Sequence, residues 1–380
     1  MKILVFSGYF LPGYKGGGPI KTIKNLLDAV DGGNLNFDLV TSDRDLGDKL
    51  PYNSVNCGSW NKMGKNKVFY IQPGIKGYKQ IISILIKRDY DLIYLNSFFS
   101  FRFSFIPLIL AKILFQKVIL APRGEFSEGA LKIKSLKKYF FIIFYRLFYL
   151  HRGTVFQVST EYEGDDIRRI LGSKTDIKVA ENIGSPDFVI KVPARTSNTM
   201  KIVFLSRISP KKNLLGALEI LGNVSQPVIY HIYGPIEDDD YWAQCKSTIS
   251  MLPLNIQVEY KGELRPEKVI DTISAYDLFF MPTKGENYGH VIAEALCAGL
   301  PLLIANTTPW RNLQELGIGW DFPLNDPYAF SSAIDQLALK TPSEHQKMRE
   351  KVLCWAKVKF SQRNAIEDNI AMFTYAYKKK

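Results

Sequence analysis

Short apolar runs alternate with stretches of helical period along most of the chain. In the first half, the runs Lys2–Ser7, Asn36–Thr41, Lys67–Ile71, Asp91–Asn96, Lys117–Ala121 and Val155–Val158 predict strands. Between them, Pro19–Val30, Gly77–Arg88, Phe101–Phe115, Gly129–Leu150 and Glu161–Leu171 predict helices. Apolar strands alternating with helices argue for a parallel sheet covered on both faces. A polar stretch rich in Pro, Ser and Thr follows (184–201) and reads as a linker. Then the pattern restarts, because "KIVFLS" at Lys201 mirrors "KILVFS" at Lys2. Further strands are expected at Val228–Tyr233, Ile256–Tyr260, Leu278–Met281 and Leu302–Ala305. Helices are expected at Leu214–Leu221, Tyr241–Met251, Glu267–Ala275, Gly289–Ala298 and Pro327–Leu339, with two more from Ser343 to Tyr377. The expected fold class is α/β, with Rossmann-like domains over 1–190 and 191–360. Residues 361–380 form a last helix that packs back on the first domain.

Composition narrows this picture little. The 380 residues are 46% hydrophobic, ordinary for a chain with two cores. No run reaches about 20 uninterrupted apolar residues, and the N-terminal run is too short for a signal peptide, so a cytoplasmic protein is expected. None of the four cysteines stands at CxxC spacing, which fits a reducing compartment. Charge is more telling. Of a formal net +12, Phe101–Arg152 carries ten Lys/Arg against two Glu, a local net of +8. Within it, Lys132, Lys134, Lys137 and Lys138 open a basic, aromatic-aliphatic stretch that ends at Arg152. Two readings stand: a core helix with a solvated basic face, or a helix docked on an anionic membrane leaflet. No nucleic-acid recognition motif accompanies the charge.

Three stretches carry candidate chemistry. "GGGPIKTI" places Gly16, Gly17 and Gly18 between the first strand and first helix, where backbone can approach an anion. It lacks the GxGxxG and GxxxxGK[ST] spacings, so it is neither a dinucleotide fingerprint nor a P-loop. "SRISPKKN" sets Arg207, Lys211 and Lys212 ahead of a helix, where cations oppose the helix dipole unless an anion sits among them. "PTKGENYGHVIAEALCAGLP" (Pro282–Pro301) puts Glu286 in a turn and Glu294 inside an otherwise apolar helix. A carboxylate so placed needs a polar partner, and a ribose diol would serve. The amides of Gly289, His290 and Val291 would then face phosphates. "IEDDDYW" (Ile236–Trp242) contains a decoy for a metal-binding DxD; acids at a helix start complement the dipole, and no metal site is assigned.

Taken in this order and spacing, the motifs resemble those of glycosyltransferase family 4, the retaining GT-B sugar transferases. "E-NYGHVIA-E-AL" is similar to that family's EX7E pairing and "SRISPKKN" to its Arg…Lys pair. "TPWRNL…GIGWDFPL" looks like a subgroup that builds bacterial surface polysaccharides such as O-antigen. The resemblance implies two Rossmann-like domains facing each other across a cleft. It implies catalytic roles for Glu286 at the donor sugar and for Arg207 and Lys212 at the diphosphate. It also implies donor binding by Glu294 at the ribose, and by Tyr288, Gly289, His290 and Val291. Gly17 and Gly18 would serve the donor from the first domain, and Gly262 and Leu264 would lie at the base. No cofactor or metal is implied beyond a UDP- or GDP-sugar substrate. The acceptor would be a glycan or a polyprenyl-diphosphate-linked sugar at the cytoplasmic face of the inner membrane. The family's acceptor-side His has no clear counterpart among His151, His231, His290 and His345; Arg123 and Glu125 stand nearest, Arg123 otherwise reading as an ion pair with Glu125 or Glu128. The rival readings are a GT-B epimerase or phosphorylase, or a non-catalytic nucleotide-sugar-binding module.

Overall fold

The computed structural model describes residues 1–30, 34–87, 89–132, 135–184, 187–195, 197, 199–361 and 364–379. The chain forms two compact units; the first comprises Met1–Ile183 and takes in the C-terminal helix, and the second begins at Gly184.

In the first unit the elements run β1 (Lys2–Ser7), α1 (Gly18–Ala29), β2 (Asn36–Ser42), β3 (Trp60–Met63), β4 (Asn66–Ile71), α2 (Gly74–Ile86), β5 (Leu92–Asn96), α3 (Ile106–Ile113), β6 (Lys117–Ala121), α4 (Glu128–Lys132), α5 (Ser135–Leu147), β7 (Thr154–Val158), α6 (Glu161–Leu171) and β8 (Ile177–Val179). The sheet order is β3-β4-β2-β1-β5-β6-β7-β8, parallel except for β3. Period-two alternation splits β1 between two cores. Ile3 and Val5 join Ile23 and Leu27 of α1 on one face, while Leu4 and Phe6 join Ile81 of α2, Leu108 of α3 and Tyr145 of α5 on the other.

The second unit runs β9 (Met200–Leu205), α7 (Leu214–Leu221), β10 (Val228–Tyr233), α8 (Asp239–Ile249), β11 (Ile256–Gly262), α9 (Val269–Ile273), β12 (Leu278–Met281), α10 (His290–Cys297), β13 (Leu302–Ala305), α11 (Leu313–Leu316), β14 (Gly319–Phe322), α12 (Pro327–Ala338) and α13 (Pro342–Ser361). Its sheet is parallel throughout, in the order β11-β10-β9-β12-β13-β14. The last helix, α14 (Asn364–Lys378), belongs to the first unit. There Phe373 meets Phe37 and Tyr94 edge-on at 5.5 and 5.3 Å, and Asn369 donates to the Glu181 carbonyl.

Several sequence expectations change. The stretch Phe101–Phe115 is not one α-helix, for Phe101–Phe105 is a π-type turn and the α-helix starts at Ile106. Pro107 has no N–H, so the pairing widens just ahead of it, with Phe105 N donating to Ser100 O. The expected helix Gly129–Leu150 consists of α4 and α5, and it stops at Leu147 because Tyr149 turns left-handed at φ 51°. Strands β3, β8 and β14 carry no uninterrupted apolar run and were not predicted.

In the second unit, Arg349 of α13 is fully buried, and its guanidinium donates to the carbonyls of Gly299 (3.1 Å), Pro193 (3.0 Å), Ser274 (2.7 Å) and Ala298 (3.4 Å). Burial lowers its pKa to about 10. One buried cation thus holds four carbonyls. Arg349→Leu strips them at once and should lower unfolding stability by about 3 kcal/mol. Chemical denaturation of the full chain measures this, and a loss under about 1 kcal/mol would show that the carbonyls find other donors.

Candidate active site at the carboxyl ends of the second sheet

In each sheet the first strand lies between neighbours reached in opposite directions, β1 between β2 and β5 and β9 between β10 and β12. Open parallel sheets bind ligands at such a reversal, beyond the carboxyl ends of the strands. In the second unit the two loops meeting there are residues 206–213 after β9 and residues 282–289 after β12. They contain Arg207, Lys212 and Glu286.

The loops are laced together. Lys284 N and Thr283 Oγ1 both donate to the Lys211 carbonyl, at 2.9 and 3.2 Å. Asn213, left-handed at φ 59°, donates from Nδ2 to the Pro282 carbonyl at 2.9 Å. Thr307 Oγ1, beyond β13, donates to the Thr283 carbonyl at 2.6 Å. The Lys212 ammonium therefore meets the Glu286 carboxylate in a direct ion pair, with the two side chains 12% and 11% exposed. Removing two such charges from water costs several kcal/mol, which their attraction only roughly offsets, so stability alone does not account for the pair. The pair instead lies where open parallel sheets bind their ligands.

Helix α10 starts immediately behind. Gly289 opens it at φ 79°, with no side-chain cap on the first turn. A Cβ at Gly289 would lie 2.9 Å from Ile292 Cδ1 and 3.4 Å from Trp310 Nε1. Trp310 Nε1 donates to the Tyr288 carbonyl at 2.5 Å, and the Tyr288 ring stands edge-on to His290 at 4.9 Å. The elbow is thus held by packing and by Trp310, and the helix start presents Val291 after His290. Glu294 is one turn on, about 6 Å along the axis, and is 7% exposed between buried Ala293 and Ala295. Cys297, one turn further, has its thiol pushed up to about 12, by burial first and then by the charges of Glu294 and Asp187.

Arg207 has a partner that the sequence reading missed. Ile208 bridges to Ile236, Ile208 N donates to the Pro235 carbonyl and Glu237 N to the Ile208 carbonyl. This sets Glu237 beside Arg207, with Nη1–Oε1 at 2.6 Å. Gly234 permits the approach, since at φ 135° a Cβ would fall 1.9 Å from the Ser206 carbonyl oxygen. Of the neighbouring acids, Asp238 caps α8 by accepting from Tyr241 N at 2.9 Å, and Asp239 and Asp240 occupy the first turn. Among the described residues no three His, Cys, Asp or Glu side chains gather as a metal site. Gly262, at φ 79°, accepts from Gly234 N at 2.8 Å and has open space where a Cβ would stand; Leu264 packs against the core. Trp242 and Tyr260 adjoin them, 5.2 Å apart, and no periodic signal singled them out.

The first unit's reversal is organised differently. Asp45 accepts from Tyr14 N and Lys15 N at 2.7 and 3.0 Å and so pins the glycine-rich loop. Gly17 caps α1 at φ 68° with nothing within 4 Å of a Cβ, and Gly18 begins the helix. Arg123, left-handed at φ 58°, does not pair with Glu125. It donates to Asn96 Oδ1, Asn182 Oδ1 and the Tyr94 hydroxyl, at 2.6, 2.5 and 2.6 Å. Glu125 instead accepts from Ser97 Oγ at 2.8 Å and from the amides of Phe98 and Phe99, and burial pushes its carboxyl up. Both side chains frame the ends of β5 and β6. Lys138 donates to the Ala130 carbonyl at 2.5 Å and lies 4.9 Å over the Phe99 ring, while Lys137 is exposed. Lys134 and the side chain of Lys132 lie outside the described residues, as does that of Glu128.

Residues 187–353 match the family model described as glycosyl transferases group 1. No curated protein sequence matches the chain. Solved structures match its full length at low identity. A sucrose-phosphate synthase from Thermosynechococcus elongatus has a TM-score of 0.74 at 14% identity, covering 99% of each chain. HepE from Anabaena, in complex with UDP and glucose, gives 0.70 at 17%, covering 100% of each. WaaG, described as a glycosyltransferase involved in lipopolysaccharide biosynthesis, gives 0.66 at 11%, covering 98% of this chain and 99% of its own. The fold is therefore that of the GT-B glycosyltransferases, two Rossmann-like parallel sheets in one chain.

Gly289→Ala tests the elbow. The substitution forces a left-handed alanine against Ile292 and should cost about 1–2 kcal/mol, read as a lower denaturation midpoint with the fold retained. An unchanged midpoint would show that the turn is relaxed.

Proposed function

We propose that the protein is a glycosyltransferase that moves a sugar from a nucleoside-diphosphate sugar to a hydroxyl of a glycan or lipid-linked acceptor. The observation that carries this reading is the Lys212–Glu286 pair, with Arg207 on the same loop as Lys212, at the sheet reversal ahead of α10. Two cations and a helix start suit a diphosphate, which leaves carrying growing negative charge. Glu286 receives a sugar hydroxyl, and Glu294, one turn into α10, receives the ribose. The group 1 match over the same residues and the UDP-bound HepE neighbour support a UDP- or GDP-linked donor.

The finer reading is a retaining, metal-independent transfer of the family 4 type. The C1–oxygen bond to the diphosphate breaks, leaving an oxocarbenium-like sugar, and the acceptor hydroxyl attacks on the face just vacated. Its proton passes to the departing phosphate oxygen. Glu286 is engaged by Lys212, which suits a binding role more than a nucleophile's. We place the enzyme in bacterial surface-polysaccharide assembly, peripheral at the cytoplasmic face of the inner membrane; the likeness to WaaG supports this.

Assay of UDP-, GDP- and ADP-sugars for hydrolysis and transfer should reveal one accepted nucleotide. Lys212→Ala and Glu286→Ala should each reduce kcat by about 10²–10³-fold with circular dichroism unchanged. Normal turnover in either variant sinks the assignment.

A further inference from the structure

Helices α2, α3 and α5 pack on the same face of the first sheet, around Ile81, Leu108 and Tyr145. Their outward sides are also apolar. Ile75, Ile82 and Ile86 form an exposed stripe on α2 at helical spacing. Leu136, Tyr139, Phe140, Ile143 and Leu147 do the same on α5. Between them, Phe101 and Ile113 are exposed at the ends of the π turn and α3, and Phe105 bridges to Phe144 at 5.8 Å. Monomer surfaces rarely leave so much contiguous apolar area uncovered.

Two helix ends strengthen the case. Phe115 and Tyr149 take left-handed φ values of 56° and 51° just after α3 and α5. Each end closes with the next residue's amide reaching back, Gln116 N to the Ala111 carbonyl and Leu150 N to the Tyr145 carbonyl. Glycine adopts this position without steric penalty, whereas a bulky side chain is strained there. The strain yields no buried contact, because Phe115 is 92% exposed and Tyr149 is exposed as well. The two ends are joined, since Lys112 donates to the Arg152 carbonyl and the Arg152 guanidinium lies 4.1 Å over the Tyr149 ring.

Charge identifies the occupant. The stretches 74–87, 101–117 and 135–152 hold three, three and four Lys/Arg and not one Asp or Glu. On neighbouring α6 the cations are neutralised locally, Arg168 by Asp165 and Arg169 by Asp166, each at 2.9 Å. A second copy of the chain would bring like charge against like charge. We propose that this α2–α3–α5 face docks on an anionic lipid bilayer, with its aromatic and aliphatic side chains at the acyl boundary and its cations among the headgroups. No described helix is long and apolar enough to cross a membrane, so the contact is interfacial. The proposal deepens and rests on the peripheral placement given above. Its readout needs no catalysis, whereas hydrolysis of a soluble donor reports the enzyme reading without vesicles, so the two fail separately.

The test is flotation of the full chain with vesicles of phosphatidylcholine alone or mixed with phosphatidylglycerol. Flotation should require the anionic lipid and weaken with salt. Lys137→Glu and Arg146→Glu should each weaken it by about fivefold or more. Phe115→Gly and Tyr149→Gly should weaken it by a similar factor while the unfolding midpoint holds or rises, because glycine relieves the strained turn. Equal flotation on neutral vesicles, wild-type binding by both glycine variants, or sedimentation showing self-association that these variants abolish would each overturn the proposal.

Discussion

The second unit's site depends on keeping a lysine and a glutamate paired with little water around them. Left alone, Lys212 and Glu286 would separate into solvent, because their attraction barely offsets desolvation. The backbone prevents this. Bonds from Lys284 N and Thr283 Oγ1 to one carbonyl, that of Lys211, join the loop carrying the cation to the loop carrying the acid. Asn213 closes the same seam at Pro282, and Thr307 ties it to the next strand. All these anchors are neutral backbone or side-chain groups, so the loops are held without help from the charged side chains. Such preorganisation lets a site meet developing charge without rearranging.

The same logic separates residues that face a ligand from residues that frame one. In the first unit, Arg123 has the charge of a ligand-binding group, but its guanidinium donates to three side chains, Asn96, Asn182 and Tyr94. Glu125 is occupied by a serine hydroxyl and two amides. Arg207 differs. It pairs with Glu237, a half-exposed carboxylate, and a pair of that exposure is worth little to stability. In the proposed function, a diphosphate would compete with that carboxylate on favourable terms, since it offers more charge to the same guanidinium.

What the sequence made legible follows from where the signal was local. The repeat of "KILVFS" as "KIVFLS" marked two sheets because buried parallel strands are apolar on both faces. Lys212 and Glu294 stood out because each breaks a local rule, a cation before a helix and an acid within an apolar one, while Arg207 and Glu286 stood out by their place in the same motifs. The pairings were not legible. Lys212 meets Glu286 across 74 positions, and Arg207 meets Glu237 only because the Ile208–Ile236 bridge sets the loops side by side. Edge strands also escaped, since β3 and β14 are half-exposed and need no apolar run.

Left-handed residues show how the chain distributes local strain. Where the turn serves the interior, the residue tolerates the conformation or its contacts offset it: Gly289 at the α10 elbow and Asn213 before α7 tolerate it, while Arg123 reaches Asn96, Asn182 and Tyr94 from it. Asparagine accepts it more readily than most side chains. On the outer surface of the first unit the choice reverses, and phenylalanine and tyrosine occupy the position that glycine fills elsewhere. Neither aromatic is buried by the unit; Phe115 is almost wholly in solvent, and Tyr149 is exposed with its ring under the Arg152 guanidinium. One exposed cation–ring contact is a small internal return for two strained turns, which points to a further return from outside. The uniform sign of the charge around the two rings then favours an anionic surface over another copy of the chain.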